Sequence, residues 1–283
     1  MGKYKRESPR NDLVKYEQNF AEYSPFYPGR GKTPPIMEHN FDIKNRNGDI
    51  TGKGSITVKN AEGIPGPFEQ DIFFVFSKLF EEQGYPKEIK FATHGVAERM
   101  ERKWSGRTKE QIQEGVRTIK ETNYIFRGIG RGPMIGEMGF NLFDGYTFYE
   151  RKEHLTKKGI PYTAAKKVNY VSFSDIMKEA IKTRNYKLMD PTIYFSLPSG
   201  LPRTFYLYLE KKGLWKTHFY REKIKSLSNH LGLDIDQNIY ELTRTIDKTI
   251  DILKKKKVIS CGRNEDKRIF STYPKQKRKR GPF

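Results

Sequence analysis

The chain has one cysteine, Cys261, in 283 residues. That excludes an internal disulfide and any multi-cysteine zinc site, and it suits a reducing cytoplasm. No window approaches the ~18 consecutive apolar residues that a membrane-spanning helix needs, and the mean hydropathy is -0.80. The charged start Met1-Gly2-Lys3-Tyr4-Lys5-Arg6 lacks the apolar stretch of a secretory signal, and Arg6 stands where a myristoylation signal wants Ser or Thr. The five histidines, His39, His94, His154, His218 and His230, have no metal-ligand spacing among themselves.

Catalytic patterns are missing as well. Gly31-Lys32-Thr33 suggests a phosphate loop, but Phe26 occupies the place of its first glycine and Pro34-Pro35 blocks the helix that should follow. Gly128, Gly130 and Gly132 fall between predicted strands, so they form a turn and not a dinucleotide fingerprint. Tyrosines number 17, yet no histidine cluster or acidic metal site accompanies any of them, as covalent nicking of DNA would require. No catalytic residue, cofactor or metal is expected.

Negative charge is scarce. Asp plus Glu total 34 against 54 Lys plus Arg, a formal net charge of +20. Such an excess attracts polyanions and speeds encounters with them, and it says nothing about fold. From Lys254 to the end there are 12 basic residues against Glu265 and Asp266, so about half the excess sits in the last tenth of the chain. Nucleic acid is the leading partner, ahead of an anionic membrane surface.

The segment Phe219–Tyr273 is the most telling. Ile224, Leu227 and Leu231 repeat at helical spacing, and Gly232 follows as a stop. Ile239, Leu242, Ile246, Ile250 and Leu253 line one face of a second helix, predicted over Asp236–Lys256. Val258–Ser260 and Ile269–Ser271 read as strands joined by the polar loop Cys261–Arg268. Helix, turn, helix, wing is the layout of a winged-helix DNA reader.

The first half repeats it. Pro67–Gln83 reads as a core helix with proline in its first turn and Gly84 after its end. A strand Glu88–Ala92 and a helix capped by Thr93 follow, then a helix opened by a Thr108/Gln111 capping box with Ile112, Val116 and Ile119 inward. Tyr124–Arg127 and Glu137–Phe143 are predicted strands around the tip Gly128–Gly136. Upstream, Phe41–Lys59 reads as a hairpin turning at Asn47-Gly48. Arg151–Lys167 resembles a charged linker. Beyond it come a strand Val171–Phe173, a helix Asp175–Thr183, a strand Ile193–Leu197 and a helix Leu201–Lys212.

The expected fold class is therefore α+β, two winged-helix domains in tandem behind an extended N-terminal arm. The divisions are an extended or disordered arm over residues 1–40, either lying over the first domain or partly disordered, domains over 41–165 and 166–273, and a basic tail over 274–283. In the second domain Gln237, Tyr240, Arg244 and Lys248 lie opposite the apolar face of the candidate recognition helix. Arg suits guanine, Gln adenine, and Lys phosphates. In the first, Arg107, Lys109, Gln113, Arg117 and Lys120 are the weaker counterparts, with Glu110 and Glu114 intruding. Arg127 and Arg131 mark the first wing; Arg263, Lys267 and Arg268 mark the second. Lys275, Lys277, Arg278, Lys279 and Arg280 form a tail suited to sequence-independent phosphate affinity.

One stretch is familiar. Glu62-Gly63-Ile64-Pro65-Gly66-Pro67-Phe68-Glu69-Gln70-Asp71-Ile72, running into Phe76-Ser77-Lys78-Leu79, resembles the opening of the replication initiator protein A family of plasmids. The aromatic segment Phe20–Tyr27 before it, Val171–Asp175 after the first wing, and Arg203-Thr204-Phe205-Tyr206-Leu207-Tyr208-Leu209 are similar to further stretches of that family. The resemblance spans roughly residues 20–272 and implies two fused winged-helix domains that bind repeated origin sites and then recruit host replication proteins. A transcription regulator contacting RNA polymerase is the alternative on the same fold, and a nicking or priming enzyme the least favoured. Double-stranded DNA is the expected partner, a homodimer stays open, and the expected location is the cytoplasm, with nucleoid or plasmid.

Overall fold

The computed structural model describes residues 13–29, 31–44, 49–128, 136–149, 154–155, 161–162, 168–183, 185–213, 220–259, 261–265 and 268–272. In chain order these form β1 (Val14–Glu17), α1 (Gln18–Glu22), β2 (Ile36–Lys44), β3 (Ile50–Lys59), α2 (Pro67–Glu82), β4 (Ile89–Phe91), α3 (Thr93–Arg99) and α4 (Gly106–Glu121). Next are β5 (Asn123–Arg127), β6 (Glu137–Phe140), β7 (Phe143–Thr147), β8 (His154–Leu155), β9 (Pro161–Tyr162), β10 (Asn169–Phe173) and α5 (Asp175–Lys182). The remainder are β11 (Tyr186–Met189), α6 (Pro191–Ser196), α7 (Leu201–Lys212), β12 (Tyr220–Lys223), α8 (Ile224–His230), α9 (Ile239–Lys255), β13 (Cys261–Glu265) and β14 (Arg268–Thr272). The architecture is α+β, with five small antiparallel sheets among the described residues. None of these helices is long and apolar enough to cross a membrane.

The helix α2 is the centre of the first half. Pro67 opens it, and the Glu69 carboxylate accepts the Gly66 N–H at 2.8 Å, closing its first turn. Ile72, Phe73, Phe74, Val75 and Phe76 are all buried, so the helix is apolar nearly all round, as a helix covered on every side must be. α4 crosses it at Gly115, where a Cβ would stand 2.5 Å from Ile72 Cδ1. Glycine is needed there for close approach.

The expected extended arm is instead part of the core from Val14 onward. Val14, Tyr16, Phe20 and Phe26 are buried, and the rings of Tyr16, Phe20 and Phe26 all lie 5.6–6.0 Å from that of Phe73. β1 pairs with β11, Val14 facing Met189 and Glu17 facing Tyr186, so its hydrogen bonds come from over 160 residues away. Elements of four and five residues are too short for periodicity to reveal, and their partners are not local.

Two sheets carry the same order. β4–β10–β7 lies in the first half and β12–β14–β13 in the second, each with the last strand in the middle. Helix, strand, helix, helix, then a hairpin whose second strand returns to the first strand is winged-helix-like topology, and it occurs twice. Thus α2, β4, α3, α4, β7 and β10 correspond to α7, β12, α8, α9, β13 and β14. The boundary expected near residue 165 falls before β10, whose two neighbours both belong to the first half.

A separate sheet, β2–β3–β5–β6, flanks the first unit. Its hairpin β2–β3 contains the predicted one but starts five residues earlier, at Ile36, within the stretch assigned to the arm, and the Asn47-Gly48 turn lies outside the described residues. Three local readings change. Ile193–Leu197, read as a strand, lies mostly in α6, because Asp190 caps the Thr192 and Ile193 N–H groups and Pro191 occupies the first turn. α4 starts at Gly106 with Ser105 as its cap, its Oγ accepting from Thr108 N at 3.1 Å, so the Thr108/Gln111 pair sits inside the helix. Thr93 is the first residue of α3 and its cap position is Ala92.

Candidate nucleic-acid interface

The helix α9 is built as its pattern predicts. Asn238 caps it, its side chain accepting from Tyr240 N at 3.0 Å, and Leu242, Ile246, Ile250 and Leu253 are buried at 0–2% exposure. α8 packs beneath through Ile224 and Leu227, and Gly232 ends that helix with φ +75°, a conformation that favours glycine. The apolar stripe fixes the roll of α9, so the opposite side faces water. Tyr240, Arg244 and Lys248, each four residues from the next, stand in one exposed line along it.

Tyr240 is 79% exposed, at the first turn of the helix. Arg244 Nη1 lies 4.0 Å from the Glu241 carboxylate, and both side chains are about two-thirds exposed, so this pair is weak and leaves the guanidinium available. Asp251 and Lys255 share the exposed side farther along, and Gln237 is exposed just before the helix. An aromatic, a guanidinium and an ammonium on one exposed line are groups chemically suited to apolar, bidentate and point-charge contacts in a duplex groove.

The second wing is more regular than its sequence suggests. Cys261–Glu265, read as loop, is the strand β13, paired with β14 from Cys261 facing Thr272 to Glu265 facing Arg268. Its polar residues lack the apolar alternation that would announce a strand, and the pairing with β14 supplies the order. Arg263 therefore lies in β13 and Arg268 in β14, where it also faces Lys223 of β12. Lys267 and the tail residues Lys275, Lys277, Arg278, Lys279 and Arg280 lie outside the described residues.

In the first unit the predicted set does not form one exposed row. Arg107 is exposed, Lys109 and Lys120 are half-buried, and Gln113 is buried at 9% exposure. Gln113 follows Ile112 on the inward side, so its amide does not reach outward. Arg117 bonds Glu114 at 2.9 Å and lies over the Phe148 ring, 5.6 Å from its centroid; the bond to Glu114 holds its proton more tightly than usual. The side that does face water presents Arg107, Glu110, Gln111, Glu114 and Glu121. Carboxylates dominate it.

The first wing also moves. Arg127 lies in β5, bonded to Glu137 at 2.7 Å, and β5 pairs with β3 and β6 rather than with β4. Arg131 lies outside the described residues. The connection topologically equivalent to the β13–β14 turn joins β7 to β10 and carries the β8–β9 pair. By sequence that stretch, read as a linker, holds Arg151, Lys152, Lys157, Lys158, Lys166 and Lys167 against Glu150 and Glu153.

Sequence reasoning missed Trp104. It is 41% exposed in the α3–α4 turn, and its ring meets that of His94 edge-on at 5.5 Å. The available signal was a tryptophan set between charged residues, Arg102-Lys103-Trp104, outside every apolar stripe. Among the described residues no group of three or more His, Cys, Asp or Glu is placed to hold a metal ion.

No family model matches the chain, and no curated protein sequence does. Solved structures do. A crystal structure of SeMet derivatives of domain 2 and domain 3 of RctB superposes with a TM-score of 0.62 at 13% identity, covering 91% of this chain and 98% of that one. A second, of RctB domains 2-3, gives a TM-score of 0.56 at 13% identity, covering 90% and 97%. At that identity the likeness is one of fold, and this chain has the fold of those two consecutive domains.

Proposed function

We propose that the protein is a sequence-reading binder of double-stranded DNA that acts as a plasmid-type replication initiator, recognising repeated origin sites. The observation that carries the binding reading is the exposed line Tyr240, Arg244 and Lys248 on α9, held outward by a fully buried stripe and followed by a strand-paired wing. The chemistry is association alone. Arg244 and Gln237 face base edges, Lys248 and the helix-ending Lys254–Lys257 face phosphates, and the basic tail adds affinity without sequence preference.

In this reading the chain is divided into two DNA-binding domains, and the pairing of β10 with β4 and β7 supports counting it in the first. In this reading the first wing is the basic β7–β10 connection. The initiator role rests on the resemblance around Gly63–Leu79 to the plasmid initiator family, and the fold shared with two consecutive RctB domains is compatible with it. The test is a selection of duplexes from a random pool. Recovered sequences should share a motif, and two tandem copies beside an A·T-rich tract should become sensitive to a single-strand-specific probe when the protein binds. Recovery of no motif contradicts sequence reading; a motif without opening favours a transcription regulator.

A further inference from the structure

We propose that the first winged-helix-like unit meets duplex DNA through a knob at its α3–α4 turn, made by Trp104, His94, Lys103 and, from the first turn of α4, Arg107, and not through the acidic outward side of α4 from Glu110 onward. The inference rests on the DNA-binding reading above and adds where the first unit makes contact.

Three observations converge on that turn. Trp104 is a large apolar ring left 41% exposed, whereas most aromatic side chains among the described residues are buried or half-buried. Leaving it in water forfeits the stabilisation that burial gives, and contact with a partner recovers it. It is also held in place. Its edge-on contact with His94 spans 5.5 Å, Ser105 Oγ accepts from Thr108 N at 3.1 Å, and Thr108 Oγ1 donates to the Lys103 carbonyl at 2.9 Å. An indole on a pinned turn loses little freedom on binding, which favours it as an anchor.

The charge around it then selects the partner. Lys103 and Arg107 flank Trp104, both exposed and neither in an ion pair among the described residues, with Glu101 the one carboxylate of the 100–107 turn. Arg102 of the same turn is exposed but already engaged, its guanidinium over the Phe68 ring and 3.9 Å from Asp71. One turn along α4 the sign reverses. Glu110, Glu114 and Glu121 are exposed, and Arg117 is bonded to Glu114. A duplex laid along that side would set three carboxylates against phosphates, whereas tipping the unit onto its turn sets Lys103 and Arg107 there. The indole then faces sugar or a thymine methyl, a contact of the apolar kind that base edges offer.

The second unit differs. Its exposed aromatic, Tyr240, lies within the helix and on the same line as Arg244 and Lys248. The two units thus present different edges, the second a helix side and the first a turn.

The chain has two tryptophans, Trp104 and Trp215, so in the full-length Trp215→Phe protein the emission reports Trp104 alone. Titration with a selected duplex is followed by that emission and, in parallel, by gel shift. The expected result is a shift or quenching of emission that saturates with the gel-shift curve, a tenfold or greater loss of affinity in Trp104→Ala, and a change of no more than about threefold in Glu110→Gln/Glu114→Gln. Binding without a Trp104 signal, or unchanged affinity in Trp104→Ala, overturns the inference while leaving DNA binding intact. So does a tenfold gain in the double glutamine variant, which would put the outward side of α4 on the DNA. Absence of any gel shift would overturn both readings together.

Discussion

Asp71 Oδ2 and Arg203 Nη1 lie 2.6 Å apart, a carboxylate 1% exposed on α2 of the first unit and a guanidinium 10% exposed on α7 of the second. The carboxylate is fully engaged: Tyr194 and Ser199 hydroxyls donate to it at 3.0 and 3.3 Å. Burial pushes the Asp71 carboxyl up, and Arg203 works against that. Arg203 also donates to the Leu197 carbonyl at 2.9 Å, and Thr204 Oγ1 donates to Gln70 Oε1 at 2.9 Å. The first helices of the two units are thus joined by polar groups that have no water to fall back on. This junction ties the two winged-helix-like units together.

Removing one member should therefore cost more than the pair contributes. Asp71→Ala leaves the Arg203 charge buried without its partner, and truncations of this kind cost about 3–5 kcal/mol. Chemical denaturation should show a stability decrease of that size. Asp71→Ala combined with Arg203→Met should lose less than Asp71→Ala alone, because the stranded charge is gone.

A second tie between the units is exposed to pH. Burial works to raise the Glu22 carboxyl, but Lys212 and Lys211, with ion pairs at 2.5 and 2.8 Å, outweigh it and bring the carboxyl down to about 2. A folded-state value below the unfolded one, 4.5, gives stability that is present above pH 4.5 and is lost as pH falls towards 2. Glu22→Gln should lower stability at pH 7 by about 1–3 kcal/mol, discounted for the partly exposed partners. The difference from the parent protein should close between pH 4.5 and 2. A constant difference across that window would assign the loss to packing instead.

The tail and the recognition helix should separate in their salt response. Deleting residues 275–283 removes five cations, Lys275, Lys277, Arg278, Lys279 and Arg280. Every phosphate that is no longer neutralised reduces the slope of log affinity against log salt by about 0.9. Affinity for selected and random duplex should fall alike, with a flatter salt dependence for both. A selective loss on the chosen site would instead make the tail part of the reading surface.

Much of the second unit was legible in the sequence, and the reasons are specific. Ile224, Leu227 and Leu231, then Leu242, Ile246, Ile250 and Leu253, keep helical spacing because each helix buries one side and wets the other. The line Tyr240, Arg244, Lys248 follows from the same geometry. On α2, buried nearly all round, the proline at its start and Gly84 beyond its end still mark the helix. The pattern fails for the short β1 and α1, which take their support from β11, α7 and Phe73, far along the chain. The first wing was misplaced because β5–β6 and β7–β10 are both antiparallel connections, and pairing with β4 alone distinguishes them. Gln113 was placed outward because its neighbours on the predicted row are charged; its burial depends on tertiary packing that a wheel drawn on α4 does not contain.

The central claim, that α9 reads sequence, is tested most directly by Arg244→Ala in a paired titration on a selected duplex and on a scrambled duplex of equal length, at one salt concentration. Arg244 is exposed, so the variant should fold with unchanged circular dichroism. Removing a side chain that bonds a base edge costs about 1–3 kcal/mol, so affinity for the selected site should drop by about tenfold or more and that for the scrambled duplex by less than about threefold. Equal losses on the two duplexes would contradict the account, reducing Arg244 to one more phosphate contact.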